Sequence, residues 1–109
     1  MTSDGLRYRA FLSYSHRDEV QAQRLHRRLE TWSVPRALRG AAVHGAPLGA
    51  RLGPVFRDRE ELASAGSLSQ AIREALDAAA ALIVLCSPAA VASPWVAQEI
   101  AYFRRQHPD

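Results

Sequence analysis

From Ala81 to Cys86 the chain reads Ala-Leu-Ile-Val-Leu-Cys, with no polar residue until Ser87. A strand that alternates apolar and polar side chains buries one face, but one that is apolar at every position must be covered on both. Such strands belong to parallel sheets packed between helices, and parallel neighbours need a long, usually helical, crossover. Counted from Ala78, the apolar run is nine residues. That is far short of the roughly 20 needed to span a bilayer, so no membrane segment is expected.

The rest of the chain supplies the crossovers. Tyr8 to Tyr14 is a short β-prone run ended by Ser15-His16-Arg17-Asp18. Ser15 with Asp18 approximates a capping box, and a helix follows with Ala22, Leu25, Leu29 and Trp32 on its apolar stripe and Arg24, Arg27 and Arg28 on a solvated face. It must stop before Pro35. A long connection rich in glycine and proline, from Val34 to Pro54, carries no assignable role. Pro54 to Arg57 predicts a short edge strand, and Asp58 to Gly66 a charged loop. Ser67 with Gln70 forms a second capping box before Leu68, Ile72, Leu76 and Ala79 at helical spacing. Ala81 to Ser87 is expected at the centre of the sheet, and Pro88 to Ser93 as a loop. Ser93 and Pro94 then start a last helix running to about Gln106.

The order β, α, β, α, β, α predicts one α/β domain over residues 1–109, a parallel sheet with helices on both faces. Ligands bind such sheets beyond the carboxyl ends of the strands. Those ends carry Ser13 to Arg17, Phe56 to Asp58, and Ser87 onward to Trp95 and Glu99. On the last helix Val96, Ile100 and Phe103 share an apolar face, which puts Trp95, Glu99 and Tyr102 at its margin. Read alone, Glu99 is a solvated helix carboxylate and Trp95 a core anchor. No G-x-G-x-x-G and no G-x-x-x-x-G-K-[ST] is present.

Composition narrows the partners. All 14 basic residues are arginine, a bias that fits a GC-rich bacterial genome. The net charge of +3 is uneven, basic in residues 1–54 and acidic in 55–109, which suits one copy meeting another. With no interleaved aromatic reading motif, nucleic acid is not an expected partner. Cys86 is the sole cysteine and reads as a packed core thiol; His16, His26, His44 and His107 lack ligand spacing, so no metal site is expected. Met-Thr-Ser-Asp-Gly lacks the regions of a secretory signal, which makes the cytoplasm the default location.

Together these stretches resemble the TIR (Toll/interleukin-1 receptor) domain family, particularly its bacterial members. Phe11-Leu12-Ser13-Tyr14-Ser15 resembles the family's first strand, and Val55 through Gly66 its second strand and BB loop. Leu82 to Ser87 resembles the third strand, and Trp95 to Glu99 the W-x-x-x-E of the third helix. The resemblance implies a flavodoxin-like fold of five parallel strands. The C-terminal strands are missing here, so the third strand would show an unpaired apolar edge. It also implies cleavage of NAD+ between nicotinamide and ribose, with NAD+ as substrate, no cofactor and Glu99 as the catalytic residue. Trp95 would line the pocket, Tyr14 and Phe56 would give flat apolar surface, and Ser15, His16, Arg17, Arg57 and Asp58 would contact the substrate. Some active relatives carry a basic pair where this chain has Ser15-His16, with Arg17 one residue later. The competing expectation is a non-catalytic module that docks onto other TIR domains through Asp58, Arg59, Glu60, Glu61, Leu62 and Gly66. Either version implies self-association, a fused or associated sensor or effector domain, and a role in bacterial immune signalling such as defence against phage. A phosphoacceptor receiver shares the fold, but Ser13-Tyr14-Ser15 lacks the acidic residues that it needs.

Overall fold

The computed structural model describes residues 7–43, 46–57 and 68–107. β1 (Ala10–Ser13) is buried at all four positions, the pattern of a strand covered on both faces. Parallel strands lie on either side of it: β4 (Val55–Arg57), with Phe11 opposite Phe56, and β5 (Leu82–Val84), with Leu12 opposite Ile83. The sheet order β4-β1-β5 is that of a flavodoxin-like fold. It reverses direction at β1, and such a reversal opens a crevice at the carboxyl end of the central strand.

Alternation along β1 divides the core in two. Phe11 faces α2 (Gln70–Asp77) and packs with Leu68, Ile72, Leu76 and Ala79, joined by Phe56, Trp95, Tyr102 and Phe103. Trp95, Tyr102 and Phe103 belong to α4 (Pro94–Gln106). Ala10, Leu12 and Tyr14 face the other way, toward Ala22, Leu25 and Leu29 of α1 (Glu19–Thr31). Each fully buried side chain of the size of Leu12 or Leu76 contributes about 1.5–3 kcal/mol, so the two clusters clamp the sheet from both faces. Arg24, Arg27 and Arg28 lie on the solvent side of α1 as expected.

α1 also seals the outer flank of β4. Val55 points its N–H and C=O away from β1; Glu30 Oε2 accepts from the N–H at 2.8 Å and His26 Nε2 meets the C=O at 2.7 Å. These two side chains, one turn apart, supply what a neighbouring strand would. The long connection is held as well. A 3-10 turn (Arg36–Leu38) and an antiparallel pair, β2 (Ala42–Val43) with β3 (Ala46–Pro47), lie within it. Arg9 donates to the carbonyls of Leu52 and Pro47, and Val34 is fully buried.

Several expectations are corrected. The Ala81 to Ser87 strand is not central: β1 takes the middle, and β5 lies at the flank of the described sheet, half-buried at every position. Trp32 leaves the apolar stripe because it is the C-cap of α1, where extended backbone turns its ring outward to 48% exposure. Cys86 is exposed, since it lies beyond the end of β5. Residues 88–93 are not all loop: Ser87 accepts from the Ala90 N–H and Pro88 opens a one-turn helix, α3 (Pro88–Val91), with the same Ser-Pro start that opens α4. The cap of α2 is Ser69, which accepts from Ile72, whereas Ser67 falls outside the described residues. α1 is reached through a 3-10 turn (His16–Asp18) capped by Ser15. Among the described residues no helix is long and apolar enough to cross a membrane.

Candidate active site

Ser13 is the last residue of β1, and its side chain emerges on the α4 side of the sheet, two positions on from Phe11. α4 starts at the Ser93 cap, whose hydroxyl accepts from the Val96 N–H at 3.2 Å, with Pro94 in the first turn. That start sets the phase of the helix, and Glu99 in its second turn points inward. The Ser13 hydroxyl donates to Glu99 Oε1 at 2.6 Å, and both residues are completely buried. A buried carboxyl is costly unless hydrogen bonds support it, so the strand end and the helix are built to hold this one. Glu99 lies deeper than the margin expected for it.

Phe56 and Trp95 are on the same side. Phe56 stacks on Phe11 with ring centroids 5.2 Å apart, and Trp95 packs half-buried against the same cluster. The α4 side of the sheet thus gathers Glu99, Ser13, Trp95 and Phe56.

Tyr14 and Arg57 occupy the other side. The Tyr14 ring is buried in the α1 cluster, and its hydroxyl donates to Glu19 Oε1 at 3.0 Å. Arg57 donates to Glu19 Oε2 at 2.6 Å, to the Tyr14 hydroxyl at 3.3 Å and to His26 Nδ1 at 3.2 Å. Because Nδ1 accepts from a guanidinium, the proton of the His26 ring sits on Nε2 and is given to the Val55 carbonyl. Burial pushes the Tyr14 phenol up to about 12, with the Glu19 bond acting in the same direction and the Arg57 bond against it. Burial would also raise the Glu19 carboxyl, but the bonds that it accepts from Gln23, Arg57 and Tyr14 outweigh that and hold it below its ordinary range. A polar groove of about 430 Å³ runs along this side, lined by Glu19, Gln23, His26, Arg27, Glu30 and Arg57.

The remaining predicted residues rim the carboxyl end of β1. Ser15 caps the 3-10 turn by accepting from the Arg17 N–H, His16 stacks on the Tyr14 ring at 5.4 Å, and the Arg17 side chain is exposed. Ser87 donates to Asp18 Oδ2 at 2.5 Å, which ties the segment after β5 to the turn after β1. Asp58, Arg59, Glu60, Glu61, Leu62 and Gly66 lie outside the described residues.

Sequence reasoning missed the role of Ser13. Its signal was present: it is the one polar residue of Ala10–Ser13, in phase with Phe11 and so aimed at the face that α4 covers. The His26 and Glu30 pair was missed too, because nothing local ties a helix residue to a strand 25 or more residues away.

A buried carboxyl held by Ser13 suits chemistry in which positive charge develops on a substrate. A family model described as the TIR-like domain of the Thoeris protein ThsB matches residues 11–108. The chain is also 40% identical over 94% of its length to a protein of Actinoplanes sp. named NAD(+) hydrolase ApTIR, of which the match covers 13%. No solved structure matches the chain significantly.

Proposed function

The chain belongs to the ThsB TIR-like domain family, and from that premise we propose that it cleaves NAD+ at the bond between nicotinamide and ribose, with Glu99 as the catalytic residue. The observation that carries this reading is the Glu99 carboxyl, held by Ser13 at the carboxyl end of the central strand. The relative named as an NAD(+) hydrolase supports the choice of substrate, although this chain spans 13% of that protein.

In the reaction, the bond from ribose C1′ to the nicotinamide nitrogen breaks with its electron pair going to the ring. Nicotinamide leaves as a neutral base, and positive charge builds on the ribose. Glu99 stabilises that charge and orients the ribose hydroxyls. Water adds at C1′ and loses a proton, giving ADP-ribose; attack by a group within the same molecule would give a cyclic product instead. Ser13 is a positioning residue in this scheme, since it touches Glu99. Trp95 and Phe56 offer the flat surfaces, and Arg17 is exposed at the same end of the sheet for a phosphate. Glu99 is fully covered, so substrate reaches it once the side chains over it move aside. Arg57 is already engaged with Glu19, so its part is to brace the strand that leads into Asp58.

Self-association with other TIR domains, and a place in bacterial immune signalling in the cytoplasm, complete the reading. The test is nicotinamide release from NAD+ by the purified chain at high concentration, beside Glu99→Gln. The amide keeps an acceptor for Ser13, so the variant should fold with an unchanged melting curve and lose release by about a hundredfold or more. Release that persists in a folded Glu99→Gln protein would refute the assignment.

A further inference from the structure

Asp18 stands at the N-cap place of α1, where an aspartate ordinarily turns its carboxylate onto the first N–H groups of its own helix. Here it makes no such bond. The helix is entered straight from the 3-10 turn, so the backbone at Asp18 (φ -103°, ψ 29°) lies outside the extended setting usual for a cap. Its Oδ2 instead accepts from the Ser87 hydroxyl at 2.5 Å, across 69 residues of sequence. The carboxylate forgoes a local bond for a charge-assisted tie to another element.

Ser87 passes that tie on. Its hydroxyl donates to Asp18 and also accepts from the Ala90 N–H at 3.0 Å. A helix of one turn has too few internal bonds to hold itself, so α3 depends on this cap and on whatever fixes the cap. From there the backbone is bonded in steps into α4. Val91 and Ala92 donate to the carbonyls of Ser87 and Pro88, Ser93 donates to Ala90 at 3.1 Å, and Ala97 donates to Ser93 at 3.2 Å. A displacement of Ser87 therefore carries the start of α4, and α4 carries Trp95 and Glu99. At the other end of the tie, Asp18 closes the turn after β1 by donating its N–H to the Ser15 carbonyl at 2.8 Å. The sheet brings the two ends together: the Leu85 N–H, one residue past β5, donates to the Ser13 carbonyl at 2.9 Å. These are the strand ends at which the order of the sheet reverses.

We infer that Asp18 is a positioning residue for the NAD+ cleavage proposed above, on which its catalytic effect rests. Through Ser87 it sets where α3 and α4 begin, and so where Glu99 stands relative to the turn after β1.

Amide hydrogen exchange and nicotinamide release from NAD+ test this on the whole chain, beside Asp18→Ala and Asp18→Asn, at a temperature where circular dichroism shows all three proteins folded. The asparagine keeps an oxygen that accepts from Ser87. Asp18→Ala should speed exchange of the Ala90 amide by about tenfold and that of Val96 in the same direction, with the Leu12 amide of β1 unchanged. It should also lower kcat by about tenfold, with KM changed by less than about twofold. Asp18→Asn should restore most of both. Unchanged exchange at Ala90 would overturn the inference; so would faster exchange confined to the first turn of α1, which assigns Asp18 to capping, or equal quickening at Leu12, which assigns it to general stability. No release from the unmodified chain would refute NAD+ cleavage itself, and the role of Asp18 in it. Release by the unmodified chain that Asp18→Ala leaves intact would refute the positioning role alone.

Discussion

Removing the Ser13 hydroxyl isolates the contact on which the candidate site is built. Ser13→Ala takes away the donor at 2.6 Å from Glu99 Oε1 and leaves that oxygen where solvent does not reach it. A hydrogen bond to a charged group is worth about 1.5–3 kcal/mol, and a buried acceptor stripped of its donor costs a similar amount, so the variant should lose about 2 kcal/mol. For a chain of this size that is a fall of roughly 10 °C in melting temperature. Urea unfolding followed by tryptophan fluorescence reads the loss as a lower midpoint with an unchanged slope. The decisive measurement repeats the substitution on a Glu99→Met background. With the acceptor gone, deleting the hydroxyl should cost less than about 0.5 kcal/mol, and the difference between backgrounds is the coupling between the two side chains. Equal losses in both backgrounds would mean that Ser13 supports the fold without holding Glu99, and the assignment of Ser13 as its positioning residue would fail.

Three other outcomes follow from the geometry. Tyr14 has its phenol raised to about 12 in the folded chain, against an ordinary 10.0, so it favours folding below pH 10 and that contribution is lost as pH rises through 12. Tyr14→Phe should flatten this alkaline loss in pH-dependent unfolding, and a variant that tracks the unmodified chain between pH 10 and 12 would count against the burial argument. Glu30→Ala should open the flank of β4 by releasing the Val55 N–H, giving concentration-dependent association in light scattering; a strictly unchanged mass would show that the side chain is not what seals that flank. Ser93→Ala should cost about 1 kcal/mol through loss of the α4 cap, read in the same urea assay.

The order of elements was legible because each signal was local: alternating or unbroken apolar runs for strands, helical spacing for α1 and α2, and Ser93-Pro94 for the start of α4. What was not legible depends on where strands sit relative to one another. Leu82 to Val84 and Ala10 to Ser13 are both apolar enough for the centre of a sheet, and only the crossovers decide that β1 takes it. Ser87-Pro88 carries the same start signal as Ser93-Pro94, yet the helix it opens is one turn long, and length is set by packing. At the site, W-x-x-x-E pointed to Glu99, and helical spacing placed it at the margin of the apolar face, shallower than it lies. The depth comes from Ser13, 86 residues earlier, reaching the carboxyl across the end of the sheet. Tyr14 follows Ser13 directly, and strand alternation alone sends it to the opposite side.

Glu30 and His26 have a consequence in time as well as in space. Strands at the flank of a sheet usually fray, exchanging their amide protons with solvent one bond at a time. β4 cannot lift in that way, because the Val55 N–H and C=O are both held from outside by α1. To release them both side chains of α1 must let go together, so the Val55 amide should exchange with the slow protons of α1. Arg57 is fastened to Glu19 and His26 of that helix as well.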